Sequence, residues 1–338
     1  MIDVAIAGAG TWGRNHVRAF ASLPGARLRA VCDSDSAALE RAARFAPSAR
    51  LLRNFDQLVR ADDVSAVVLA TPAARHAEQA RALLDAGKDV LVEKPMAMRA
   101  REAEALCELA EARGRVLMVG HIMRYHPAVE RLVALVRGGD LGKVHYLHAV
   151  RVNLGRVRTD ENALWSLAPH DVSVVLALVD AAPESVAARG ASYLQAGIED
   201  VVFVNVRFAD GTMAQFQVSW LDPRKDRRLT VVGSKKMIVF DDRDPAEMLK
   251  LYDKGYDRPP EYADFGEYLT LRDGDIHVPK VEMREPLAVE CAHFVDCVAS
   301  RATPRTSGRE GLAVVRVLEA AQRSLELGGT PVACGATG

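Results

Sequence analysis

The chain has no excess of charge, no paired cysteines and no apolar run long enough for a membrane, and each absence removes a class of function. Its 44 Lys and Arg nearly balance 45 Asp and Glu, for a formal net charge of -1. So even a balance offers no basic field for nucleic acid or for an anionic membrane surface. Five cysteines, Cys32, Cys107, Cys291, Cys297 and Cys334, make neither a C-x-x-C pair nor a metal-like cluster. They read as reduced intracellular thiols, with no disulfide framework and no metal site expected. The first residues already form a strand pattern rather than a basic and then apolar leader, and the longest apolar stretches, such as Val64 to Ala74, fall well short of the ~20 residues a spanning helix needs. No internal repeat or low-complexity segment breaks the chain. These features predict a soluble cytoplasmic protein, and 338 residues with 49% hydrophobic content suffice for two packed domains.

What is present begins at the N-terminus. Ile2 to Ala7 is a short apolar strand that runs directly into Gly8-Ala9-Gly10-Thr11-Trp12-Gly13, a G-x-G-x-x-G loop. The first glycine permits a tight turn, the second lets backbone approach a pyrophosphate, and the third lets helix pack on strand. Val17 and Phe20 follow at helical spacing, so the loop opens a helix from Arg14 to Leu23 whose N-terminus favours phosphate. A second strand, Arg27 to Cys32, ends at Asp33, about twenty residues on, where a carboxylate can accept from ribose hydroxyls. That carboxylate would repel a 2′-phosphate, so NAD is expected rather than NADP.

Strand and helix patterns alternate up to residue 122. Strands are expected at Ala66 to Ala70, Val90 to Val92 and Val116 to Val119, and the helices Arg75 to Ala86 and Arg99 to Arg113 stop at Gly87 and Gly114. This is the pattern of an α/β doubly wound parallel sheet, a Rossmann NAD-binding domain over 1-122. After one more helix, Pro127 to Arg137, the pattern becomes β-rich, with strands at Lys143 to Val152, Ser185 to Tyr193, Val201 to Phe208, Thr212 to Trp220, Arg228 to Val232 and Lys236 to Phe240. Ala209-Asp210-Gly211 is a hairpin signal. Two late helices, Pro286 to Ala299 and Gly308 to Leu327, complete an α+β domain over 123-338 on a large, mostly antiparallel open sheet.

Glu93-Lys94-Pro95 closes the apolar strand Asp89 to Val92. A lysine at the C-terminal end of such a strand, where open α/β sheets bind ligands, suits the stabilisation of developing alkoxide charge during alcohol oxidation. His145 and His148, three apart on one strand, face opposite sides and make no metal pair. Arg151, Asn153, Arg156 and Arg158, or the Asp222-Pro223-Arg224-Lys225 stretch, could clamp a pyrophosphate. His121 and Arg124 sit just past the sixth strand, beside the expected nicotinamide, and Tyr125 and His126 either line the crevice or cap the next helix.

The glycine loop, Ala70-Thr71-Pro72 with His76, Glu93-Lys94-Pro95, and Gly120-His121 with Arg124 together resemble the glucose-fructose oxidoreductase and inositol dehydrogenase family (Gfo/Idh/MocA), over nearly the whole chain. The resemblance implies NAD contacts at Ala70, Thr71, Pro72, His76, Glu93, Lys94 and His121, in addition to the loop and Asp33. It also implies a lysine, Lys94, beside nicotinamide and substrate, often before a cis prolyl bond, and an open sheet that makes homodimers or homotetramers. Family members usually carry a general-base histidine where this chain has His170, within Trp165-Ser166-Leu167-Ala168-Pro169-His170-Asp171. Pro169 suggests that His170 lies in the first turn of a helix. The aspartate usual four residues earlier is replaced by Ser166, so either His170 acts with Lys94 alone, or Asp171 or another group substitutes.

The stretch from Glu161 to Asp171, with Gly197 to Asp200 and Ser219 to Met237, resembles the branch that oxidises the 3-hydroxyl of UDP-N-acetylglucosamine or its uronic acid. Lys94, Arg124, Tyr125, Arg151, Asn153, Trp165, Ser166, His170 and Asp171 are the expected substrate residues, with Lys94 and His170 catalytic. A free-sugar or inositol dehydrogenase, an NAD-dependent glycosidase and a non-catalytic NAD-sensing regulator share the cofactor motifs and remain alternatives.

Overall fold

The computed structural model describes residues 1–155, 157–257 and 270–335, which fall into two compact units. Among the described residues the first comprises Met1–Tyr125 and Arg284–Glu319; the second comprises residues 126–283 and 320–335. No helix among the described residues is long and apolar enough to cross a membrane.

In the first unit β1 (Ile2–Ala7), β2 (Ala26–Cys32), β3 (Arg50–Leu52), β4 (Ala66–Leu69), β5 (Asp89–Glu93) and β6 (Leu117–Gly120) pair in parallel in the order β3-β2-β1-β4-β5-β6. The expected doubly wound sheet is therefore present. β4, β5 and β6 are buried along their whole length, which explains why they read as continuous apolar runs. The connections carry α1 (Gly13–Ala21), α2 (Ser36–Ala43), α3 (Phe55–Val59), α4 (His76–Asp85) and α5 (Ala100–Ala112). Strand order reverses between β1 and β4, the place where such sheets open a ligand crevice at their C-terminal ends.

The late helix Pro286–Ser300, α8, belongs to this unit. Its Leu287, Cys291, Phe294 and Val298 share one core with Val4, Ile6, Val17 and Phe20. Truncating a fully buried phenylalanine such as Phe294 costs about 3–5 kcal/mol, so α8 is integral to the sheet's packing.

The second unit is built on nine strands in the order β14-β13-β12-β11-β7-β10-β9-β8-β15. These are β7 (Val144–Val152), β8 (Pro183–Ala191), β9 (Val201–Phe208), β10 (Met213–Ser219), β11 (Asp226–Gly233), β12 (Met237–Asp241), β13 (Leu249–Asp257), β14 (Thr270–His277) and β15 (Val332–Ala333). Only the β7–β10 pair is parallel among the described residues. The hairpin expected at Ala209-Asp210-Gly211 forms: Gly211 takes φ +88°, and the Phe208 N–H donates to the Thr212 carbonyl at 2.9 Å. Along β9, Val202, Val204, Val206 and Phe208 point inward and alternate with exposed positions, the period of a one-faced sheet. α6 (Pro127–Arg137) and α7 (Ala163–Leu178) cover the inward face.

α7 departs from expectation. The helix starts at Ala163, not at Pro169, because Asn162 caps it: its side-chain oxygen accepts the Trp165 N–H at 3.2 Å. Pro169 lies inside the helix and supplies no N–H to the Trp165 carbonyl, a loss tolerated in a segment whose apolar residues are buried nearly all round. His170 therefore sits in the middle of a helix rather than in its first turn.

α8 also buries Glu290 completely, and neither carboxyl oxygen has a hydrogen-bond partner among the described residues. Burial, and then the negative charge of Glu93, push its pKa well above the ordinary value, so the folded state holds the proton. Folding therefore gains from Glu290 only while the unfolded chain also keeps its proton, and this contribution declines as pH rises above the normal glutamate range. Glu290→Gln is expected to raise the melting temperature relative to the parent progressively from pH 5 to pH 8. A difference constant across that range would refute the neutral-acid assignment.

Candidate active site

The glycine loop adopts the geometry its spacing requires. Gly8 takes φ +91°, and a Cβ there would meet the Ala70 carbonyl oxygen at 2.5 Å; at Gly13 it would meet the Gly8 carbonyl oxygen at 1.9 Å. These two glycines allow β1, β4 and α1 to close on one another. A Cβ on Gly10 has nothing within 4 Å, so this position fronts open space. α1 begins with no side-chain cap and no acid in its first turn, and its positive end remains available to an anion.

Asp33 follows β2 and holds the loop: Oδ2 accepts the Ala9 N–H at 2.6 Å and Oδ1 accepts the Asp35 N–H at 2.9 Å. Each oxygen keeps a lone pair for a ribose hydroxyl. Glycines, helix end and carboxylate together fit the diphosphate and adenosine half of a dinucleotide. Thr11 is exposed on the loop.

On the far side of the switch point, Ala70 donates its N–H to the Ala7 carbonyl at 2.7 Å and Thr71 Oγ1 lies 2.6 Å from Gln79 Oε1. Pro72 precedes a 3-10 turn, Ala73–Arg75. His76, buried at the start of α4, bridges two segments, with one ring nitrogen 2.8 Å from the Pro95 carbonyl and the other 2.8 Å from the Thr71 carbonyl. The loop after β4 is thereby tied to the residue after Lys94. The Lys94–Pro95 bond is cis.

Glu93 is the hub of this strand end. Its buried carboxylate lies 2.7 Å from His16 Nε2, accepts the Trp12 indole N–H, and accepts the Lys94 backbone N–H at 3.2 Å. Burial alone would raise its pKa, but the His16 and Trp12 bonds and the Lys94 charge outweigh that and hold it below the ordinary value as a carboxylate. Gly120 makes room for it: a Cβ there would lie 3.1 Å from the Glu93 carboxyl. Lys94 itself is half-buried just beyond β5.

Past β6, His121 is buried with neither ring nitrogen partnered among the described residues. Burial, reinforced by the Arg124 charge, lowers its pKa to about 3, so the ring is neutral. Arg124, also buried, donates to Glu310 at 3.1 Å. Tyr125 does not fit the substrate role expected of it. It has no exposed surface, its hydroxyl is 2.9 Å from Thr306 Oγ1, and the Arg305 guanidinium lies over its ring, 5.0 Å from the centroid. His126 caps α6, accepting the Ala128 N–H at 3.2 Å.

The second unit holds the remaining expected substrate residues. Ser166 and His170 stand one turn apart on the half-buried stripe of α7, and Trp165 is buried, with its indole N–H 3.3 Å from Gln322 Oε1. Asp171 is engaged elsewhere: Arg151 on β7 binds it through two bonds of 2.6 and 2.9 Å, and both side chains are buried. It is thus an ion-pair partner of β7. Asn153 is half-buried just after β7, Arg158 is exposed and 3.0 Å from Glu161, and Arg156 lies outside the described residues. His16, the partner of Glu93, went unrecognised in the sequence because it lies 77 residues away on the buried face of α1, a position that otherwise reads as core.

Residues 2–121 match the model of the oxidoreductase family with an NAD-binding Rossmann fold, and residues 129–239 match the GFO/IDH/MocA C-terminal domain. The chain is similar to UDP-N-acetylglucosamine 3-dehydrogenase of Acidithiobacillus ferrooxidans, 29% identical with 94% of each chain covered. A solved structure of that enzyme superposes with a TM-score of 0.81 over 97% of this chain and 98% of its own. Inositol 2-dehydrogenase of Rhizobium meliloti is 27% identical over 96% of this chain and 97% of its own. GenD2 from gentamicin A biosynthesis, solved in complex with NAD, is 28% identical with a TM-score of 0.82, covering 99% and 97% of the two chains.

The glycine geometry separates folding from binding. Gly10→Ala is expected to melt like the parent yet bind NAD at least about tenfold more weakly, because the added methyl would enter only the open space in front of the loop, where the diphosphate is expected. Gly13→Ala is expected to lose thermal stability as well. Calorimetric titration and thermal melts check both, and equal NAD affinity in Gly10→Ala would rule out this cradle.

Proposed function

The chain belongs to the GFO/IDH/MocA family of NAD-dependent oxidoreductases acting on CH–OH groups, and within it we propose oxidation of the 3-hydroxyl of a UDP-sugar to the ketone. UDP-N-acetylglucosamine, its uronic acid and UDP-glucose are the candidates. The similarity to a UDP-N-acetylglucosamine 3-dehydrogenase over 94% of both chains carries this reading.

Bound NAD supplies the acceptor for the hydrogen leaving the carbinol carbon. The hydroxyl proton must leave as well, and negative charge grows on the oxygen as it does. His170 is the proposed proton acceptor, an imidazole on α7 with no carboxylate one turn before it and with Asp171 held by Arg151. Lys94 is the proposed cation for the developing alkoxide, its backbone fixed by Glu93 on one side and by the His76 contact to Pro95 on the other. Two copies of the chain are proposed to associate through the outward face of the nine-stranded sheet, where Tyr146, Phe203 and Met213 are exposed.

Similarity to an inositol 2-dehydrogenase favours a second reading, oxidation of a free polyol. Purified protein offered UDP-N-acetylglucosamine, its uronic acid, UDP-glucose and myo-inositol in parallel, with NADH formation followed, separates the two. NADH is expected with a UDP-sugar, and formation with myo-inositol alone would reject the UDP-sugar reading. Lys94→Met and His170→Ala are each expected to lower kcat by at least about 100-fold. His170→Ala is expected to keep the parent's NAD affinity, since the proposed cofactor residues all belong to the other unit.

A further inference from the structure

Around the start of β11 and the end of β12, cations outnumber the acids that pair with them. Arg227 on β11 stands directly opposite Arg151 on β7, so the two side chains lie on one face, the face on which Arg151 meets Asp171 of α7. Asp242, just past β12, lies 3.2 Å from Arg227 Nη1 and 3.8 Å from His126, and its N–H donates to the Arg227 carbonyl at 3.0 Å. That bond draws the turn carrying Arg243 against β11. Lys225 immediately precedes the same strand.

Arg151 and Asp171 cancel, as do Arg227 and Asp242. Nearby acids are engaged elsewhere: Asp226 with Arg228, Asp222 with the Arg224 N–H, and Asp241 with the Arg243 N–H. Among the described residues neither Lys225 nor Arg243 has a carboxylate partner, and the buried Nε of Arg227 has no acceptor. Lys225 registers the imbalance. The charge of Arg227, then burial and the charge of Arg243, lower its pKa below the ordinary lysine value. His126 adds no positive charge near neutrality, because burial lowers its pKa further despite the nearby carboxylate of Asp242.

We propose that Lys225, Arg227 and Arg243 form an anion subsite that takes the diphosphate of a nucleotide-linked substrate. Two unbalanced cations match the two charges of a nucleotide-sugar diphosphate; a guanidinium offers it a planar fork and an ammonium a point charge. A neutral polyol would gain nothing from them. The subsite is anchored through Arg151 and Asp171 to the residue that follows His170, on the helix that carries the proposed base. This inference rests on the UDP-sugar reading and adds to it the group that recognises the UDP.

Lys225→Gln and Arg243→Gln alter exposed side chains, and binding of UDP to the NAD-loaded protein reads their effect. Each is expected to weaken UDP binding about tenfold and to raise KM for the UDP-sugar in step, with the loss falling on KM rather than kcat. Lys225→Arg, which keeps the charge, is expected to retain UDP affinity. NAD affinity serves as the control for folding. If UDP binds the parent and both glutamine variants alike and a UDP-sugar turns over, the subsite is wrong while the UDP-sugar reading stands. If the parent binds no UDP and oxidises only myo-inositol, both fail.

Discussion

The carboxylate of Glu93 joins the cofactor loop to the strand that presents Lys94, and the chemistry assigned to the first unit depends on that joint. A carboxylate buried without partners costs several kcal/mol. Here it is bound by Trp12 from the glycine loop, by His16 from the first helix and by the backbone of Lys94. Taking away His16 or Trp12 would leave the charge under-compensated. Glu93 is thus a proposed positioning residue between the glycine loop and the lysine, and its charge adds to the burial that keeps Glu290 neutral on the other side.

Much of this was legible in the sequence, and the reason is locality. Gly8, Gly10, Gly13 and Asp33 lie within one β-α-β segment, so spacing alone proposes cofactor roles for them, and the close approaches at Gly8 and Gly13 and the Asp33 bond to the Ala9 N–H are local to that segment. Gly87, Gly114 and the Ala209-Asp210-Gly211 turn are local in the same way. What was not legible depends on distant partners. Nothing near Asp171 announces Arg151, nothing near Glu93 announces His16, and the burial of Tyr125 follows from Thr306 and Arg305, some 180 residues away. Pro169 misled because proline commonly opens a helix; the cap at Asn162, seven residues earlier, decides the start. β13 and β14 escaped because their charged, glycine-containing sequences carry no clean alternation.

The second unit uses charge differently from the first. In the first, one buried carboxylate gathers donors around it; in the second, paired charges fix α7 to β7, and the surplus cations are left toward β11. The absence of a carboxylate at Ser166 fits this arrangement. An aspartate there would stand one turn from His170, whereas Ser166 leaves the negative charge of α7 concentrated at Asp171, where Arg151 neutralises it.

The return of Arg284–Glu319 to the first unit bears on how the protein is made. During synthesis the six parallel strands and the glycine loop leave the ribosome long before α8 does. Until α8 arrives, the faces of Val17 and Phe20 that it covers stay open to solvent, and the acid Glu290 is not yet in place beside Glu93. The nascent first unit is then an incomplete, adhesive intermediate of the kind chaperones bind, and the cofactor cradle reaches its final packing only when nearly the whole chain has been translated.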